Sequence, residues 1–140
     1  IKKIMTKNFN KSEFDCSDGE EMPINVYHNM LKVAKQLQVL RDFLNKPVHI
    51  NSAYRTEDYN KQIGGAHKLD EKTGLRIETS QHVFGRAADI TVKGVAAIDV
   101  YITLQVLIET GQILEGGLGL YEEKNFVHYD IRGLKVRWNG

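Results

Sequence analysis

His82 and Asp89 lie seven residues apart, separated by Val83-Phe84-Gly85-Arg86-Ala87-Ala88. An imidazole and a carboxylate are both ligands that a catalytic zinc takes, with three protein ligands and a fourth position left for water. Gly85 lets the intervening chain turn sharply, and Ala87-Ala88 lets it approach other backbone closely, so both ends can reach one metal. His128 is the candidate third ligand. Alternate residues of a strand share a face, so Phe126, His128 and Asp130 point one way while Val127, Tyr129 and Ile131 point toward the core. A carboxylate beside a ligating histidine suits a supporting role at a metal.

Other residues capable of chemistry lack such partners. His28 falls in a helix, His49 in a strand and His67 in a polar loop, and each reads as incidental. The one cysteine, Cys16, excludes an internal disulfide framework, has no paired base nearby and reads as a small half-buried side chain. Gly117-x-Gly119 is too short for a nucleotide loop and lacks the βαβ context of one.

The elements that must position these residues follow from periodicity. Val26, Met30, Val33, Leu37, Leu40 and Leu44 recur at spacings of three and four, which predicts a helix from Ile24 to about Asn45 with one narrow apolar stripe. Pro47 is expected to stop it and to open an extended stretch over Val48–Tyr54. Thr56 to Ile63 reads as a short helix, with Thr56 as N-cap and Gly64-Gly65 at its end. Ala66 to Thr79 is polar and mixed in charge, and reads as a mobile surface loop. Ala87–Val92 reads as a short buried strand. A helix from about Val95 to Thr110 is apolar on most faces, which predicts deep packing. Gly116–Tyr121 and Phe126–Ile131, joined by Glu122-Glu123-Lys124-Asn125, predict an antiparallel hairpin, with Arg132-Gly133 as the next turn. Helices first and strands later predict an α+β fold: one small domain over 1–140, an antiparallel sheet with flanking helices.

Composition narrows the function classes. The 140 residues fit one domain with a sizeable core, and 41% hydrophobic with 26% charged residues is ordinary for a globular protein. Nineteen basic against 18 acidic side chains give a net charge of +1, with no cationic block or basic–aromatic stripe, which argues against a nucleic-acid partner. No apolar run approaches the roughly 20 residues of a membrane span. Ile1-Lys2-Lys3-Ile4-Met5 is too short and too soon polar for a signal peptide, and the missing initiator Met is what a processed or excised domain would show.

Ser80-Gln81-His82-Val83-Phe84-Gly85-Arg86-Ala87-Ala88-Asp89 resembles the S-x-H-x-x-G-x-A-x-D motif of the M15 metallopeptidases. That family includes zinc D-Ala-D-Ala carboxypeptidases and dipeptidases, and phage endolysins that cut L-Ala-D-Glu bonds. Phe126-Val127-His128-Tyr129-Asp130 resembles the second motif, which supplies the third zinc ligand. Ser52-Ala53-Tyr54-Arg55, followed by Asn60 and Gly64-Gly65, resembles the upstream S-x-Y-R…N…GG segment. With Arg132-Gly133 and Trp138, the resemblance covers roughly Val48 to Trp138.

The resemblance implies a hedgehog/DD-peptidase-like fold, a Zn2+ held by His82, Asp89 and His128, and hydrolysis of peptidoglycan stem peptides by D,D-carboxypeptidase or endopeptidase action. It places that activity at the bacterial cell wall, whether periplasmic, secreted or phage-delivered. Zinc would activate water near neutral pH and polarise the scissile carbonyl. Arg55 would stabilise the oxyanion or hold a substrate carboxylate. Ser80 would hydrogen-bond substrate or brace the turn.

One departure concerns the general base. Carboxypeptidase and endolysin branches carry an acid three positions before the last His, where this chain has Asn125. Glu122, placed where hedgehog-type domains have a glutamate, and Asp130 are the leading substitutes, with Glu123 in the same turn. The glutamates also read as a solvated turn, and Asp130 as a brace. Asn125 leaves open a contrasting reading, a zinc-bearing, non-catalytic binding module of phage or cell-wall origin. A metal-free structural protein, such as a phage tail component, is a third.

Overall fold

The apolar stripe forms α1 (Ile24–Leu44), with Val26, Met30, Val33, Leu37 and Leu40 buried and Leu44 half-buried. The helix ends before Pro47 is reached. Asn45 takes the left-handed conformation (φ 52°) and donates its N–H to the Arg41 carbonyl, a local cap that terminates the helix two residues earlier than the proline. The computed structural model describes residues 3–140, so Ile1 and Lys2 of the N-terminal stretch lie outside the described residues. Ahead of α1, β1 (Ile4–Thr6) and β2 (Phe9–Asn10) form a small hairpin against the helix.

The remaining elements follow in the order β3 (Val48–Ser52), α2 (Glu57–Gln62), β4 (His67–Leu69), β5 (Arg76–Glu78), β6 (Ala87–Val92), α3 (Ala97–Glu109), β7 (Gly117–Tyr121), β8 (Phe126–Asp130) and β9 (Val136–Asn139). Thr56 caps α2 as expected, its hydroxyl accepting the Tyr59 N–H at 3.1 Å. The main sheet runs β3-β6-β8-β7-β9; its pairs are antiparallel except β7 with β9, which is parallel. The architecture is α+β, with α1 and α3 packed on the sheet.

Two elements depart from the sequence expectation. Ala66–Thr79 is not an irregular loop: β4 and β5 pair antiparallel, and the Asp70 carboxylate closes their turn by accepting from the Thr73 N–H and hydroxyl at 2.8 and 2.7 Å. Helix α3 is not buried all round. Ala97, Val100, Leu104 and Leu107 are buried, but Ile98, Ile102 and Val106 form an exposed row at i, i+4, i+8.

Strand alternation gives the sheet two different faces. Tyr129 of β8, buried against the helices, stands between Ala88 of β6 and Leu118 of β7. On the opposite face a single rung crosses all five strands: Ser52, Asp89, His128, Gly119 and Trp138 are successive partners from β3 to β9. That rung is the floor of the site.

Candidate metal centre

Asp89 and His128 are brought together by strand register, since they are direct partners of β6 and β8. His82 reaches them from the turn before β6. Gly85 permits that turn through a left-handed φ of 71°, and a side chain there would collide with Val26 of α1. Asn29 of α1 pins the same turn by donating to the Phe84 carbonyl at 2.9 Å. The Ser80 hydroxyl accepts the His82 N–H at 3.3 Å, so Ser80 braces the turn while also lining the cleft above it.

The three side chains are buried, and one ligand atom from each lies within 4.8 Å of the others. Asp89 Oδ1 faces both imidazoles, at 3.3 Å from His82 Nε2 and 3.0 Å from His128 Nδ1. A tetrahedron with bonds near 2.0–2.1 Å has an edge of about 3.3 Å, so these separations suit a shared ion. The outer ring nitrogens are already anchored. His82 Nδ1 lies 2.7 Å from the Ala53 carbonyl, an acceptor only, which places the proton there and leaves the Nε2 lone pair facing inward. His128 Nε2 lies 2.6 Å from Asp130 Oδ2. Anchoring of this kind sets tautomer and ring direction for metal binding.

The electrostatics agree. Burial pushes the His82 imidazole below its ordinary pKa, overcoming the opposing pull of Asp89, so the ring is a neutral donor. Burial works to raise the Asp89 carboxyl, but the hydrogen bond from His128, first among several opposing effects, outweighs it and holds the group ionised. For His128, burial opposes charge, and Asp130 and Asp89 reverse it and raise the pKa. A neutral imidazole, a carboxylate and an imidazole backed by a carboxylate form a donor set that fits zinc.

Asp130 is fully buried and fully engaged. Its Oδ1 accepts from the Gly117 N–H (2.9 Å), the Arg132 N–H (3.1 Å) and Arg132 Nε (2.9 Å); its Oδ2 takes His128 and Arg132 Nη2 (2.7 Å). The glycines of β7 make room for this arrangement: a Cβ at Gly117 would meet Asp130 Oδ2 at 2.4 Å, and one at Gly119 would meet the Trp138 indole.

Arg55 follows β3 and reaches Ser52 Oγ (3.3 Å), Asn60 Oδ1 (3.4 Å) and Asp89 Oδ2 (3.4 Å), with part of its side chain on the cleft. Asn60 is itself fully buried, and its amide donates to the Ala66 carbonyl and to Glu78 of β5. Glu122 and Glu123 are exposed in the β7–β8 turn and do not line the cleft. Asn125 has a structural task in that turn: it adopts a left-handed φ of 54° and its Oδ1 accepts the Ala97 N–H at the start of α3. His28, His49 and His67 take no part in the cluster. Cys16 is buried and accepts the Thr56 N–H at 3.5 Å.

The cleft over the cluster encloses about 410 Å³ between Arg55, Ser80, Gln81, Arg132, Tyr121 and Trp138. Sequence reasoning assigned no role to Tyr121 or Gln81, although Tyr121 is two positions from Gly119 and so shares its strand face. Trp138 packs on the His128 ring at 5.0 Å and donates its indole N–H to the Tyr121 hydroxyl at 2.9 Å.

Fold and site together define a small α+β domain with a buried His-Asp-His cluster at the floor of an open cleft. Residues 7–130 match the family described as Peptidase M15, and the chain belongs to that family of metallopeptidases. No curated protein matches the chain.

Proposed function

We propose that the chain is a zinc-dependent peptidase that hydrolyses peptide bonds in peptidoglycan stem peptides, with His82, Asp89 and His128 holding the metal. The observation that carries this reading is the convergence of three donor atoms whose outer ring nitrogens are already anchored, on Ala53 and Asp130. A bound zinc supplies Lewis acidity toward water and the scissile carbonyl. Asp130 acts through His128, because each of its oxygens is already taken. Arg55 places a fixed positive charge beside Asp89, where a substrate carboxylate or a developing oxyanion would lie.

The cleft wall carries Arg55 and Arg132 and no carboxylate, which suits the anionic stem peptide of a bacterial wall. The same absence favours a second reading, a zinc-bearing module that binds wall peptides without cutting them, since among the described residues no free carboxylate lines the cleft as a base. Incubating zinc-loaded protein with purified peptidoglycan, and following released fragments by mass spectrometry, separates the two. Cleavage that a chelator abolishes and zinc restores supports the enzyme. Binding without cleavage, at every metal and pH tried, supports the module.

A further inference from the structure

Over the cluster, the hydroxyls of Tyr121 and Ser80 each accept one hydrogen bond and, among the described residues, give none, but Ser80 is spent bracing the turn that carries His82. Indole Nε1–H can only donate, so in the Trp138–Tyr121 hydrogen bond the phenol oxygen is the acceptor. Its own O–H is then left to give, and among the described residues no acceptor takes it. The ring cannot easily swing away. It stacks on Phe126 with centroids 4.3 Å apart and planes at 10°, and Gly140 lies so close that a Cβ there would collide with it. Tyr121 shares the cleft with His82 and His128, and Trp138 bridges it to the His128 ring. The charged donors of the cleft wall are already engaged: Arg55 is drawn back onto Asp89 and Asn60, and Arg132 is committed to Asp130.

We propose that Tyr121 is a catalytic residue that donates its hydroxyl proton in a hydrogen bond to the scissile carbonyl oxygen as that oxygen gains negative charge. This inference rests on the peptidase reading of the same cleft. The phenol keeps its proton throughout; no bond to it is made or broken. Trp138 is the positioning residue, since its N–H occupies the phenol lone pair that faces it and leaves the O–H to the substrate. A fixed donor aimed at developing charge contributes a rate factor of about 10²–10³ in comparable settings.

The test uses the full chain loaded with cobalt or zinc. In Tyr121→Phe, kcat on a stem peptide should fall about 10²-fold with KM nearly unchanged, at wild-type metal content and melting temperature. Inorganic phosphate, titrated into the cobalt form and followed by visible absorption, gives a readout independent of the peptide. Tyr121→Phe should bind it about tenfold more weakly, as expected when a hydrogen bond worth about 1.4 kcal/mol to a charged group is lost. That result with no cleavage by wild type keeps the donor role and puts the fault in the peptidase reading. Equal phosphate affinity in the two proteins, or no phosphate binding to wild type, overturns the proposal.

Discussion

The cleft has a floor and a wall built on different physical terms. The floor is one rung of a five-stranded sheet, where His128 of β8 is flanked by Asp89 and Gly119 and every donor or acceptor of Asp130 is matched. One side of the wall, at Ala66 and Thr79, is where the chain enters and leaves the β4–β5 hairpin, whose strands have three residues each. His67, Lys68 and Leu69 are all exposed, and a buried asparagine is the hairpin's main tie to the rest of the molecule. Precise ligand geometry calls for the first construction, because sites on packed strands hold their atoms more tightly than sites on loops. A surface that must admit substrates can use the second, since segments with few buried contacts open at low free-energy cost.

The largest effect comes from breaking the floor. His128→Ala should remove metal retention and peptidase activity together, measured by elemental analysis of the dialysed protein and by peptide cleavage. Full occupancy in that variant would mean that the ligand set is wrong. Asp130→Asn is milder, because an amide oxygen can still accept from His128. It should weaken zinc binding about 10–100-fold in a competition titration, the usual cost of losing a carboxylate behind a ligating histidine. Glu122→Gln should change neither zinc affinity nor kcat. A fall in kcat without a fall in affinity, in either variant, would make that residue the base instead.

The floor was largely legible in the sequence, and the wall was not. Alternation through Phe126–Asp130 puts His128 and Asp130 on one face, and the Gly-Arg-Ala-Ala-Asp run leads from the turn into β6, because both signals are local. The surroundings of Asp130 are not local. Its partners, the Gly117 N–H and the Arg132 guanidinium, are delivered only by the tertiary fold. The β7 glycines read as strand residues, while their reason for being small, Asp130 and Trp138, lies 13 and 19 residues further on. Strand β9 pairs in parallel with β7, and Val136-Arg137-Trp138-Asn139 has too little apolar pattern to announce it. The hairpin was missed because its strands are exposed or half-exposed, so burial imposes no alternation on their sequence. The second long helix erred the other way: its hydrophobicity exceeds what the fold buries, and Ile98, Ile102 and Val106 face outward.

A cut at the junction of floor and wall should have an intermediate effect. Asn60 is fully buried, accepts from Arg55 and donates to Ala66 and Glu78. Asn60→Ala leaves those groups without their partner, at a cost of about 1–3 kcal/mol in a denaturant titration. Hydrogen exchange should quicken in β4 and β5 well before it does in β6 or β8. Uniform quickening across both would erase the distinction between floor and wall.

The smallest effect tests the wall by itself. Hydrogen bonding by Arg76 holds the Glu78 carboxyl below its ordinary value of 4.5, against a smaller opposing effect of burial and with further help from Asn60. A carboxylate whose pKa is depressed on folding contributes stability that is fully present above the unfolded pKa and is lost as pH falls through the folded one. Glu78→Gln keeps an oxygen for Asn60 but removes the charge opposite Arg76. At pH 6 the variant should be less stable than wild type by about 1 kcal/mol or less, the range of ion pairs near a surface. That gap should close as the pH is lowered past 4.5 toward 3, because wild type then loses the same charge. Melting temperatures of the two proteins across pH 3–6 read the gap directly. A gap that stays constant would show that Glu78 serves the hairpin through shape and hydrogen bonding, with its charge contributing nothing.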